Sequence, residues 1–150
     1  MPQKSNKKLP QKNLYPSKDE ILALPSPNLK PEVIEALRLW KKCWYKKWGE
    51  LHQTEKYQRL NLLIEDIWKI EKKEYEYSIV ANDYYAWHPG RKTLLVDSDR
   101  PSIISTLHEI SHSLYGESEL TACRYSVWLF KTVFPQSFNS LNIHGHMFKL

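Results

Sequence analysis

His108 and His112 stand four residues apart with Glu109 directly after the first of them, and the spacing becomes chemistry only if the segment is helical. A helix advances about 3.6 residues per turn, so positions four apart share one face at about 6 Å. That is close enough for two imidazoles to ligate one Zn²⁺. Glu109 then sits beside the pair, where a carboxylate can take a proton from an attacking water, as a general base for hydrolysis must.

The flanking residues predict such a helix. Asp97, Ser98 and Asp99 offer capping oxygens, and Pro101 is expected in the first helical turn, where a missing N–H costs nothing. Ile103, Ile104, Leu107, Ile110 and Leu114 recur every three or four residues, an apolar stripe next to the histidine face rather than on it. Gly116 supplies the stop. A strand-like stretch, Lys92 to Asp97, leads in, and a strand feeding a metal-binding helix is the arrangement zincins use.

Zinc needs a third protein ligand and leaves a fourth position for water. After Gly116 come Glu117, Ser118 and Glu119, opening a second periodic segment with Leu120, Cys123, Val127, Phe130 and Phe134. Two helices joined by a short glycine turn pack antiparallel, which brings the start of the second near the end of the first. Glu119 is the expected third ligand, with Glu117 or a histidine of the tail, His144 or His146, as the alternatives.

Thr106-Leu107-His108-Glu109-Ile110-Ser111-His112, followed by Glu119-Leu120-Thr121-Ala122 and then Phe134-Pro135, resembles the ImmA/IrrE-type minimal gluzincins over about residues 90 to 135. In that family a His-Glu-x-x-His helix precedes a helix opening Glu-x-x-Ala, whose Glu is the third zinc ligand. The resemblance implies a zinc metallopeptidase with His108, His112 and Glu119 as ligands and Glu109 as base on a zinc-bound water. One departure is visible: members usually carry a longer insertion between the two helices, whereas here six residues separate His112 from Glu119. The resemblance also implies a regulatory partner, because such proteins act on transcriptional repressors. A zincin-like scaffold with little or no hydrolysis is the corresponding alternative function.

Other residues hold weaker expectations. His146, in a glycine-containing tail, and Tyr115 are candidates to contact substrate or stabilise a transition state, and Tyr125 is a further phenol of that kind. His52 and His88 read as solvated surface groups. Cys43 and Cys123 lie in helical patterns and point to a reducing compartment, here the cytoplasm.

Composition bounds the remainder. With 150 residues, 41% hydrophobic and 13% aromatic, the chain has material for one real core. It contains no apolar run of membrane-spanning length, and Met1 to Lys18 lacks the apolar centre of a signal peptide. Residues 1–50 hold 11 Lys/Arg against 5 Asp/Glu and residues 51–150 hold 11 against 12, so the basic excess is N-terminal. Residues 1–29 read as a flexible basic arm with a short docked turn at Ile21-Leu22-Ala23-Leu24, and residues 30–150 as the catalytic domain.

Pro31 opens a helix whose apolar stripe is expected to run through Val33, Leu37, Trp40, Trp44, Trp48 and Leu51, with lysines on the other side. A second helix is predicted from about Thr54 to Lys72. From Tyr75 the period becomes two, giving three short strands, the last two joined by a hairpin at Pro89-Gly90-Arg91. The expected fold is α+β and zincin-like: two N-terminal helices, a small mostly antiparallel sheet, the His-Glu-x-x-His helix and a ligand helix. The expected partners are a protein or peptide substrate, with nucleic acid as a possibility for the basic N-terminal part and no membrane.

Overall fold

A computed structural model describes residues 16–44 and 46–141 of the chain. A short helix α1 (Lys18–Leu22) is followed by α2 (Pro31–Lys42), a single 3₁₀ turn (Trp48–Glu50) and the long α3 (Gln53–Ile70). Three strands come next, β1 (Ser78–Asn82), β2 (Ala86–His88) and β3 (Thr93–Asp97), then α4 (Ile103–Tyr115), α5 (Glu119–Val133) and α6 (Pro135–Ser140). The α+β class expected from the sequence is what the chain adopts. Among the described residues, no helix is long and apolar enough to cross a membrane.

The sheet is mixed rather than mostly antiparallel. Its order is β1-β3-β2, with β1 parallel to β3 over five residue pairs, Ser78↔Thr93 to Asn82↔Asp97, and β2 antiparallel to β3 over three. Only the β2–β3 hairpin follows the expected pattern. Leu94, Leu95 and Val96 are consecutive buried residues, so both faces of β3 are covered, as suits the central strand. By contrast β1 exposes Val80 and Ala81 and suits an edge.

Pro31 occupies the first turn of α2, where its fixed φ favours the helix. Val33, Leu37 and Trp40 are buried as the stripe requires, but the helix ends at Lys42, so Trp44 and Trp48 lie beyond it. Ring packing explains the early break. Trp44 stacks on Phe134 at 5.9 Å and meets both Trp40 (4.9 Å) and Trp48 (5.2 Å), a cluster a continuing helix would not form. The Arg59 guanidinium donates to the Cys43 carbonyl at 3.2 Å, covering an acceptor that the ended helix leaves open.

The part of the expected arm that is described is packed on the body. Ile21 is fully buried, α1 packs on α5, and Leu22 and Leu29 pack against the core. Lys18 Nζ donates to the carbonyls of Phe138 (3.1 Å) and Leu141 (2.9 Å), and Arg124 donates to the Pro25 carbonyl at 2.7 Å. Ser17 caps α1 in a reciprocal box with Glu20. The docked turn expected at residues 21–24 is therefore part of a longer docked segment.

The core lies between α4 and the surrounding α3, α5 and sheet. Leu107 and Ile110 of α4 are fully buried, as are Leu60, Leu63, Ile64 and Ile67 of α3 and Val127 and Leu129 of α5. A polar tie fixes α3 to α4: Trp68 Nε1 donates to Ser113 Oγ at 3.0 Å, and Tyr77 Oη donates to the Ser113 carbonyl at 3.2 Å.

Candidate metal centre

The turn between β3 and α4 aims the site. Asp97, at the end of β3, accepts from the backbone of Asp99 and Arg100 and from Arg100 Nε, closing a tight bend. Ser102 then caps α4, its hydroxyl accepting from Ser105 N at 3.2 Å. Pro101 therefore lies just outside the helix and not in its first turn. Tyr85 accounts for the later start: its hydroxyl accepts from Ser102 N at 2.7 Å, holding that residue extended. Burial pushes the Tyr85 phenol up to about 12, so it stays protonated and can also donate to a nearby carbonyl.

On α4 the spacing acts as expected. The His108 and His112 rings lie 4.9 Å apart, and both side chains are buried. Gly116 and Ser118 turn the chain so that Glu119 becomes the first residue of α5, with Ser118 Oγ accepting from Thr121 N. A carboxylate at that position is favoured by the positive end of the helix dipole. Here it meets both imidazoles: Glu119 Oε1 lies 2.9 Å from His108 Nε2, and Glu119 Oε2 lies 3.3 Å from His112 Nε2.

A ligand atom from each of His108, His112 and Glu119 lies within 4.8 Å of the other two. A tetrahedral zinc with bonds of about 2.1 Å separates its ligand atoms by about 3.4 Å. The carboxylate oxygens lie 2.9 and 3.3 Å from the two imidazole nitrogens, all within 4.8 Å, and two imidazoles with one carboxylate are a donor set that zinc accepts. The residues fit a Zn²⁺. Glu117 is exposed and outside the cluster, so the geometry brings in Glu119 instead.

The electrostatics of the cluster follow from burial and hydrogen bonding. Burial holds His108 below the ordinary histidine value, outweighing its bond to Glu119. The same burial acts on His112, but bonds to Glu119 and to the Gly116 carbonyl outweigh it and raise that imidazole. Burial opposes the charge on Glu119, yet its two histidine partners bring the carboxyl down to about 2. Glu109 is different. It is half-buried, it is not among the converging atoms, and burial raises its carboxyl well above the ordinary range. A carboxylate made more basic beside a ligand cluster, without joining it, has the properties of a base.

Compared with known proteins, the chain matches no family model, no curated protein and no solved structure. The likeness to ImmA/IrrE-type gluzincins therefore stands on the quoted residues alone.

The remaining candidates divide. Tyr115 is half-exposed, with its hydroxyl 3.5 Å from Glu71 and its ring 5.6 Å from that of Tyr125. These partners give it no contact with the three-residue cluster. Tyr125 is buried in the core, and burial pushes its phenol far up. His144 and His146 lie outside the described residues. Cys123 is fully buried and its thiol is pushed up to about 12, which fits a core residue. His52 caps α3, its Nδ1 accepting from Thr54 N at 3.1 Å. His88 is exposed at the end of β2.

Sequence reasoning missed two supporting groups. Tyr85, in the connection just before β2, clamps the start of α4, and no local pattern points to it. The Gly116 carbonyl, which accepts from His112 Nδ1 at 2.8 Å, had a signal: a glycine four residues after the second histidine.

Proposed function

We propose that the protein is a zinc-dependent peptidase of the cytoplasm, with His108, His112 and Glu119 holding the ion and Glu109 serving as general base. The observation that carries this reading is the meeting of three ligand-type side chains from two consecutive helices, with a separately buried and more basic carboxylate next to them. Bound at those three residues, Zn²⁺ would acidify water and polarise a substrate carbonyl.

The chain's own groups would do the rest. Glu109 takes a proton from the attacking water and returns it to the leaving amide nitrogen, a role suited to a carboxylate beside the ligands that does not join them. Gly116 keeps His112 Nδ1 protonated through its carbonyl, which directs Nε2 toward Glu119 and the ion. β2 packs on α4 and, among the described residues, pairs with β3 along one edge only, so its other edge is the place for an extended substrate chain to add as a strand.

The reading is tested by metal analysis of protein purified without added zinc, together with cleavage of a peptide library read by mass spectrometry. One zinc per chain and chelator-sensitive cleavage are expected. Glu109→Gln should keep the zinc and lose cleavage by about a hundredfold or more. Absence of zinc, or cleavage unchanged in Glu109→Gln, would overturn the proposal.

A further inference from the structure

The charge of the molecule is divided between two ends. From residue 16 to residue 141, 17 Lys/Arg balance 17 Asp/Glu, yet residues 38–59 alone carry 7 against 2. These residues form the last part of α2, the 3₁₀ turn and the start of α3. They gather against the C-terminal end of α5. Lys41 Nζ donates to the Val133 carbonyl at 3.1 Å and lies 5.0 Å over the Phe134 ring. Lys56 lies 5.7 Å over Trp48, and Lys131 lies 5.6 Å over Trp128. Aromatic faces thus hold several of the lysines, while Arg38, Lys42 and Lys47 are exposed between them.

Because Lys18 bonds the carbonyls of Phe138 and Leu141, the points where residues 1–15 and 142–150 join the body are neighbours beside α6. Residues 1–15 contain four lysines and no acid, and residues 142–150 contain Lys149 and no acid. The formal net charge of +5 equals the charge of these two segments, because residues 16–141 balance. α5 has 15 residues with Glu119 at its start, so the lysine-rich end lies about 20 Å from the candidate metal centre.

We propose that the lysine-rich end binds the phosphate backbone of nucleic acid without reading its bases. Lysine is a mobile point charge that meets phosphate oxygens from many directions, and a row of them matches a polymer with closely spaced charges. The tryptophans here pack on one another and on Phe134, which leaves little ring face for stacking on bases. An acidic protein partner would want an apolar centre to its interface, and Leu39 is the single large aliphatic residue among 38–59 that is exposed. The inference does not depend on zinc or on hydrolysis.

The test is fluorescence anisotropy of the full chain with a labelled duplex DNA and a single-stranded RNA of equal length, across a salt series. Binding should weaken steeply with salt, with a log–log slope of about −4 or steeper on the duplex. Lys42→Glu/Lys47→Glu/Lys131→Glu should weaken binding at least tenfold and flatten that slope. Lys69→Glu/Lys72→Glu/Arg91→Glu makes the same charge change elsewhere and should shift affinity less than threefold. Duplex bound in preference to RNA, or the reverse, identifies which nucleic acid supplies the phosphates. No binding at low salt, equal loss from both triple variants, or tighter binding to polyglutamate than to either nucleic acid would overturn the proposal.

Discussion

His112 Nδ1 donates to the carbonyl of Gly116 at 2.8 Å, across the last turn of α4. One bond thereby sets both the protonation and the orientation of the second histidine. Gly116 can offer its carbonyl this way because its backbone sits at φ 103°, ψ −164°, a region nearly closed to residues with a Cβ.

Gly116→Ala should therefore destabilise the protein by about 1–3 kcal/mol and weaken zinc binding as well. The space around a new Cβ is open, so the cost is backbone strain and not collision. Urea unfolding of the metal-free form, with competition against a fluorescent zinc chelator, measures both effects. An unchanged zinc affinity would separate the glycine from the centre.

Glu119→Ala should abolish stoichiometric zinc after dialysis, whereas Glu117→Ala should leave it in place. The difference follows from geometry: Glu119 reaches both imidazoles while Glu117 faces solvent. Metal content by emission spectrometry decides the matter. Equal retention in both variants would shift the third ligand to a tail histidine.

The cluster also gives metal-free and zinc-loaded protein opposite responses to pH. Glu109 and His112 are both raised, so the folded state keeps protons that the unfolded chain releases above their ordinary values of 4.5 and 6.5. Their stabilisation is present below those values and is lost as pH climbs past the raised ones. Glu119, lowered to about 2, works the other way, losing its contribution as pH falls from 4.5 toward 2. Zinc needs deprotonated ligands, and His112 holds its proton up to about 9, so zinc affinity should rise with pH across that range and level off once the proton is lost. Thermal unfolding with and without zinc, from about pH 5 to about pH 9, should show a gap that widens with pH; a constant gap would contradict the cluster's electrostatics.

Helices α2 to α5 and the pairing of His108 with His112 were legible in the sequence because they depend on spacing along one element, whereas α6 was not expected. Three-dimensional choices were not. The parallel β1–β3 pair depends on which strand takes the centre of the sheet, which a strand-by-strand reading cannot see. The break after Lys42 arises because Trp44 finds Phe134, some ninety residues away. Pro101 has the signature of a first-turn proline, but Tyr85, just before β2, bonds Ser102 and moves the start of α4. In each case a distant partner overrode a local preference that was otherwise sound.

The docked N-terminal segment yields a last test. Ile21 is fully buried and sits in a helix of five residues, too short to persist by itself. Its attachment therefore depends on that side chain with the Lys18 and Arg124 bonds around it. Ile21→Ala should destabilise the protein by about 2–4 kcal/mol and open the peptide bonds of residues 16–29 to protease before the rest of the chain. Lys18→Ala removes two part-buried bonds to backbone carbonyls and should cost about 1 kcal/mol. Limited trypsin digestion followed by mass spectrometry reads the order of cleavage. If wild type and Ile21→Ala are cut in this segment at the same rate, the segment does not belong to the folded body.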